Sequence, residues 1–207
     1  MKTLIAIPCG DLCHTDFLRS LLGLEAVGEA QYTFAQGSLV YDARNRLAEA
    51  AINGGFDRVL WLDSDMIFPR DLMRRMHGHL DAGLQMITGV YSTRKPPIRP
   101  TLYSELTLTQ APGEKFATPG HKQITELPKE PFTVAGCGFG CVMVTVDLLR
   151  RVWETYGAGF TPASGFGEDL SFCLRVSDLG EKIWCDPGIV CGHVGMTVYY
   201  PEGGETT

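Results

Sequence analysis

Two acidic pairs and one histidine are the residues of this chain whose types and spacing suit chemistry. Asp63 and Asp65 stand two apart where the apolar run Val59-Leu60-Trp61-Leu62 ends. Glu168-Asp169 follow about a hundred residues later, after Gly165-Phe166-Gly167, and His193 comes behind a last short apolar segment. Two carboxylates roughly 6 Å apart repel by about 3 kcal/mol at an effective dielectric of ~20, less where water reaches them. A divalent cation removes that cost. Carboxylates with open neighbouring positions suit Mg²⁺ or Mn²⁺, substrate phosphates completing the shell. Each feature also has a plainer reading. Asp-Ser-Asp is ordinary turn chemistry, acidic residues in a first helical turn are ordinary dipole partners, and a lone histidine is ordinarily a satisfied structural residue.

These groups need elements to hold them. Val59 to Leu62 have the types of a strand buried on both faces. If strand geometry persists past Leu62, Asp63 and Asp65 point the same way. Pro69 then opens a helix to about Ala82, with Leu72, Met73, Met76 and Leu80 as its stripe and His77 and His79 at the surface. Upstream, Thr3 to Pro8 reads as a strand closed by Pro8-Cys9-Gly10-Asp11. A helix is expected from His14 to Val27, with Phe17, Leu18, Leu21, Leu22 and Val27 on its apolar face. A short strand over 31–35 and a helix over 39–53 follow, the latter stopped by Gly54-Gly55. Met86 to Tyr91 is a further strand.

Between Ser92 and Phe132 seven prolines break any long helix. Thr101-Leu102-Tyr103 and Leu106-Thr107-Leu108 read as short strands of a hairpin, a lid or small excursion. Beyond it, Gly136-Cys137-Gly138-Phe139-Gly140 implies a bulge or a close backbone approach. It is not a phosphate-binding Gly-x-Gly-x-x-Gly, because a strand follows where a helix is required. Asp147 would cap a helix over 148–156, and Glu168-Asp169 open one that runs to Leu179. Strands near 182–185 and 189–193 finish the fold, and residues 202–207 form a frayed tail. Alternating strands and helices over the first ninety or so residues imply an α/β fold with an open, mostly parallel central sheet and helices on both faces. In such sheets ligands sit at the C-terminal strand ends, where Asp63 and Asp65 lie.

With 207 residues the chain is expected to be one domain. A net charge of −6 gives no broad field for nucleic acid or anionic membrane. The N-terminal apolar run is too short for a signal peptide, and no stretch approaches the length of a membrane span. Seven scattered cysteines, an odd number, fit free thiols in a reducing cytoplasm. Cys185, Cys191 and His193 lack the Cys-x-x-Cys pair of a structural zinc site.

In this order and at these separations, Asp63-Ser64-Asp65, Gly136-Cys137-Gly138, Glu168-Asp169 and His193 resemble the DxD, Gly-rich, xED and C-terminal histidine motifs of the GT-A glycosyltransferases, close to the family-2-like group. The resemblance covers nearly the whole chain. It implies a Rossmann-like GT-A domain over 1–207, with a nucleotide-binding half over 1–92, a variable lid or hairpin over 93–132 and an acceptor and catalytic half over 133–200. It implies a metal-dependent transfer of a sugar from a nucleotide-sugar donor to an acceptor that is a saccharide, a lipid-linked intermediate, a protein or a nucleic-acid base. Asp65 would bind Mn²⁺ or Mg²⁺ directly, Asp63 would meet the ribose or the metal's water shell, and His193 would complete the shell. Asp169 would be the catalytic base of an inverting reaction, with Glu168 binding acceptor or steadying the loop. Pro8, Arg44, Gly136 and Gly138 would lie against the donor, with Asn45 beside Arg44. Arg94-Lys95 and Arg99 either meet the diphosphate or an acidic acceptor or form a solvated loop.

The pattern also departs from the family. Many relatives read the base with an Asp after the second strand, where this chain has Gln36-Gly37-Ser38. The Gln-x-x-Arg-Trp of processive synthases is absent, which favours single transfers. A sugar nucleotidyltransferase would need a Gly-rich, Arg-containing loop after the first strand, and Pro8 to His14 is not one. A non-catalytic module that holds a nucleotide or nucleotide sugar is the rival from another class.

Overall fold

The structure is a computed structural model and describes residues 1–37, 39–110 and 117–195. In chain order the elements are β1 (Lys2–Cys9), α1 (Thr15–Leu22), β2 (Glu29–Gln36), α2 (Val40–Asn53), β3 (Arg58–Leu62), β4 (Met66–Ile67), α3 (Leu72–Asp81) and β5 (Met86–Val90). They continue with β6 (Leu102–Thr109), β7 (Thr118–Gln123), β8 (Phe132–Val134), β9 (Gly136–Cys137), β10 (Cys141–Thr145), α4 (Val146–Tyr156), α5 (Glu168–Asp178), β11 (Ile183–Val190) and β12 (Gly192–His193).

Seven strands form the central sheet in the order β2-β1-β3-β10-β5-β11-β8. The sheet is mostly parallel: β10 runs against β3 and β5, and β8 against β11. Alternation along β3 divides the core. Val59 and Trp61 face one layer with α2, α4 and α5, while Leu60 and Leu62 face the other with α1 and α3. Helices therefore cover both faces. Trp61 packs against Phe160 at 4.9 Å between ring centroids, Phe139 meets Phe160 at 5.0 Å, and Phe160 stacks on Phe172 at 4.6 Å. This aromatic block underlies the C-terminal ends of the strands. The β excursion is a small sheet, β7-β6-β9, whose β9 joins it to the body.

Several expectations are corrected. The first helix stops at Leu22, where Gly23 takes the cap, so Leu22 is 89% exposed and Leu18 is also exposed. The third helix begins at Leu72, and Pro69 belongs to the turn before it. The excursion is not two short strands around 101–108 but one continuous strand, β6, paired with β7. Thr145, not Asp147, caps α4, its hydroxyl accepting the Leu148 N–H. The strands expected near 182–185 and 189–193 are largely one irregular strand, β11, with β12 beyond it. His77 is no surface residue: it is 2% exposed, and its ring lies between Thr3 and Arg58. His79 meets Asp186 at 2.9 Å. The expected tail over 202–207 lies outside the described residues, as does Ser38.

Candidate active site

The strand does not carry through the acidic pair. β3 ends at Leu62, the Asp63 N–H donates to the Gly140 carbonyl, and the Met66 N–H closes a turn onto the Asp63 carbonyl. The two carboxylates consequently find different cationic partners. Asp63 Oδ1 accepts from Arg44 Nη2 at 2.8 Å. Asp65 Oδ2 accepts from Arg94 Nη1 at 2.6 Å and lies 3.5 Å from His193 Nε2.

A two-residue ladder explains how His193 reaches this place. β12 pairs antiparallel with β4, with Gly192 opposite Ile67 and His193 opposite Met66. The Val194 N–H then donates to the Asp65 carbonyl at 2.8 Å. The imidazole Nδ1 is 2.8 Å from the Ser92 carbonyl, which fixes Nδ1 as the protonated nitrogen and directs Nε2 at Asp65. The hydrogen bond with Asp65 raises the His193 pKa against the effect of burial. Burial disfavours the Asp65 carboxylate, but His193 and Arg94 outweigh it and hold its pKa below the usual range.

Arg44, on α2, is the buried hub of the site. Its side chain is 3% exposed and bridges Asp63 and, at 3.4 Å, Glu168 Oε1. Its guanidinium lies 5.5 Å from the Phe139 ring, a cation–π distance. Burial disfavours its charge, and Asp63 and Glu168 more than restore it. Glu168 is thus turned to Arg44, while Asp169 lines a cavity with Tyr91, Tyr103, Gly138 and His193. Burial, with Glu168 adding to it, pushes the Asp169 carboxyl up to about 6.

Two cavities meet at Arg94 and His193, and Asp65 lines the first of them. One, of about 410 Å³, is lined by Pro8, Cys9, Gly37, Val40, Ala43 and Asp63. The other, of about 350 Å³, contains Asp169, Thr93, Lys95, Thr101 and Tyr103. Arg94 and His193 belong to both. Asn45 lies apart from them, its Oδ1 accepting the Phe160 N–H at 2.9 Å. Arg99 is exposed, with its backbone tied to Thr93. A Cβ at Gly136 would meet Leu106 at 2.9 Å and Leu170 at 3.0 Å, so that glycine makes room for these two side chains.

No protein-family model matches the chain, and no curated protein matches it by sequence. Solved structures do match by shape. A197 from STIV is 17% identical, with a TM-score of 0.67 over 95% of this chain and 87% of that one. GalNAc-T7, solved with UDP, GalNAc and Mn²⁺, is 10% identical, with a TM-score of 0.61 over 98% of this chain and 44% of that one. The fold is the GT-A fold. No helix among the described residues is long and apolar enough to cross a membrane.

Among the described residues no group of three or more His, Cys, Asp or Glu side chains is arranged to hold a metal ion, so Asp65 and His193 supply two donors of a site that other ligands would have to complete. Asp65 offers a carboxylate, and His193 offers the imidazole nitrogen left free by the bond from Nδ1 to Ser92. A cation there would displace the proton that the Asp65 partnership favours on His193. Asp63 is held by Arg44. Two features escaped sequence reasoning. β4 is too short to leave a periodicity, and the Arg44–Glu168 pair spans 124 residues with no local signal. The run Ala43-Arg44-Asn45 in a helix otherwise lined by alanine and leucine was the clue available, since an arginine on a buried helix face needs a carboxylate partner.

Proposed function

We propose that this chain is a metal-dependent glycosyltransferase that moves a single sugar from a nucleotide-sugar donor to an acceptor with inversion. The observation that carries the reading is the convergence of Asp65, His193 and Asp169 on two confluent cavities. The nucleoside lies in the cavity of Pro8, Gly37 and Asp63, in the 1–92 half. The sugar and acceptor lie in the cavity of Asp169, Tyr103 and Thr101, between the 133–200 half and the 93–132 lid. Asp65 and His193 would hold Mn²⁺ or Mg²⁺, which would supply positive charge to the departing diphosphate. Arg94, facing both cavities, adds a second positive group to the same oxygens.

The proton ledger closes on Asp169. Its carboxylate takes the proton of the acceptor hydroxyl as that oxygen bonds to the anomeric carbon. The bond from that carbon to the diphosphate breaks, and its electron pair leaves with the nucleotide. Attack from the face opposite the leaving group inverts the anomeric centre. Glu168 positions the loop through Arg44.

A thermal-shift screen of nucleotide sugars with and without Mn²⁺, followed by NMR of the product anomer, tests this. A donor that raises the melting temperature only with metal, and is turned over with inversion, supports it. Retention of configuration removes Asp169 as the base. The Arg94–Asp65 ion pair favours one other reading, a module that binds a nucleotide diphosphate through Arg94 without turnover. Binding that survives chelation with no transfer or donor hydrolysis would select that module.

A further inference from the structure

Tyr91 lies just past β5, is nearly fully buried, and takes no part in the chemistry proposed above. Its hydroxyl accepts the Gly140 N–H at 3.0 Å. Its carbonyl accepts from the Thr101 N–H at 2.9 Å and from the Thr101 hydroxyl at 3.2 Å. Both ends of the residue are therefore fixed. Its ring stands perpendicular to the His193 imidazole, 5.2 Å between centroids. The next residue, Ser92, supplies the carbonyl that holds Nδ1 of the same imidazole. One short segment thus contributes a wall and a hydrogen-bond acceptor to His193.

The glycine run that read as a bulge or a close backbone approach is cut to fit this tyrosine. A Cβ at Gly138 would lie 2.1 Å from the Tyr91 hydroxyl oxygen and 3.1 Å from Cζ. A Cβ at Gly140 would lie 2.9 Å from Cζ. Neither glycine has positive φ, so the requirement is for room rather than for an unusual backbone. Two glycines from β9–β10 and one aromatic ring from the end of β5 make a slot whose open side is the imidazole.

We propose that Tyr91 is a positioning residue: seated in the slot left by Gly138 and Gly140, it holds the His193 ring with Nε2 toward Asp65 and so sets the affinity for the divalent cation. This rests on the cation site proposed above. Partners that orient a metal-bound histidine are typically worth 10–100-fold in affinity. Removing the ring belongs in that range, and removing only the hydroxyl falls below it.

The test is Mn²⁺ titration of the full chain, followed by electron paramagnetic resonance, for the wild type, Tyr91→Phe, Tyr91→Leu, Gly138→Ala and the double variant Gly138→Ala/Tyr91→Phe. Tyr91→Phe should stay within a few-fold of wild type, and Tyr91→Leu should weaken binding by about 10-fold or more. Gly138→Ala should also weaken it, because its methyl group and the hydroxyl claim the same space. Adding Tyr91→Phe should then recover affinity, since the closest remaining contact is the 3.1 Å approach to Cζ. Wild-type affinity in a folded Tyr91→Leu, or no recovery in the double variant, overturns the proposal. Should Tyr91→Leu fail to fold, the Gly138 cycle decides alone. If the wild type binds no Mn²⁺, the cation site itself falls, an outcome distinct from a site that binds but ignores Tyr91.

Discussion

Arg44 Nη2 donates to Asp63 Oδ1 at 2.8 Å, while Nε of the same guanidinium reaches Glu168 at 3.4 Å. One buried cation therefore ties the acidic turn after β3 to the acidic start of α5, and the two carboxylate motifs share a counter-charge supplied by the protein.

Loss of that cation should be felt in stability before activity is considered. Arg44→Met leaves Asp63 and Glu168 facing each other without compensation. Breaking a buried ion pair from one side costs about 3–5 kcal/mol. Because Asp63 stays 30% open to water, the lower end is expected. Urea unfolding measures it. Arg44→Lys, which keeps the charge but loses the fork, should recover part of the loss.

Asp169 should set the acid limb of the activity. The base works deprotonated, and burial places its carboxyl at about 6. The rate should be level above that pH and fall about tenfold per unit below it. Asp169→Asn should lower kcat by about 10²–10⁴-fold and abolish the limb. A pH–rate profile of the two proteins checks both statements.

His77 should make the fold acid-sensitive. Its Nδ1 lies 2.6 Å from the Arg58 guanidinium and its Nε2 3.3 Å from the Thr3 hydroxyl, which suits a neutral ring. Burial, with the Arg58 charge, lowers its pKa to about 4. The unfolded chain, with an ordinary histidine, binds more protons between about pH 6.5 and 4, so stability falls as pH drops through that window. From pH 7 to 5 the loss from this group is about 2 kcal/mol. Urea midpoints at the two pH values measure it, and His77→Gln should flatten the difference.

Cation and donor should be linked in melting experiments. A ligand at a hundred times its Kd stabilises the native state by about 2.7 kcal/mol, or some 5–10 °C for a chain of this length. Asp65→Asn and His193→Ala should each abolish the metal-dependent part of that shift. Asp63→Asn, whose carboxylate is held by Arg44, should reduce donor binding while leaving Mn²⁺ binding nearly intact.

Much of the fold was legible because burial leaves a periodic record. β1, β3 and β5 are apolar runs, and α2 and α3 carry stripes that match their buried faces. Legibility failed where tertiary contacts override local pattern. His77 sits on the polar-looking part of its helix, yet Arg58 and Thr3 draw it inward. The glycines at 136, 138 and 140 announce a need for room without saying what takes it, and side chains of the protein itself take much of it. The Asp-x-Asp spacing implied parallel carboxylates, but the chain turns at Asp63 and gives each its own partner.

The ladder between Gly192–His193 and Met66–Ile67 carries a consequence for synthesis. Apart from His193, the residues that wall the cavity of Pro8, Gly37 and Asp63 have all been translated by residue 94, while the imidazole comes about a hundred residues later. A nascent chain still holding β12 inside the ribosome would lack the imidazole on which the proposed cation site depends, even once β10 had been placed between β3 and β5. Nucleotide capture on the ribosome would be premature and weak until that last two-residue stitch is sewn.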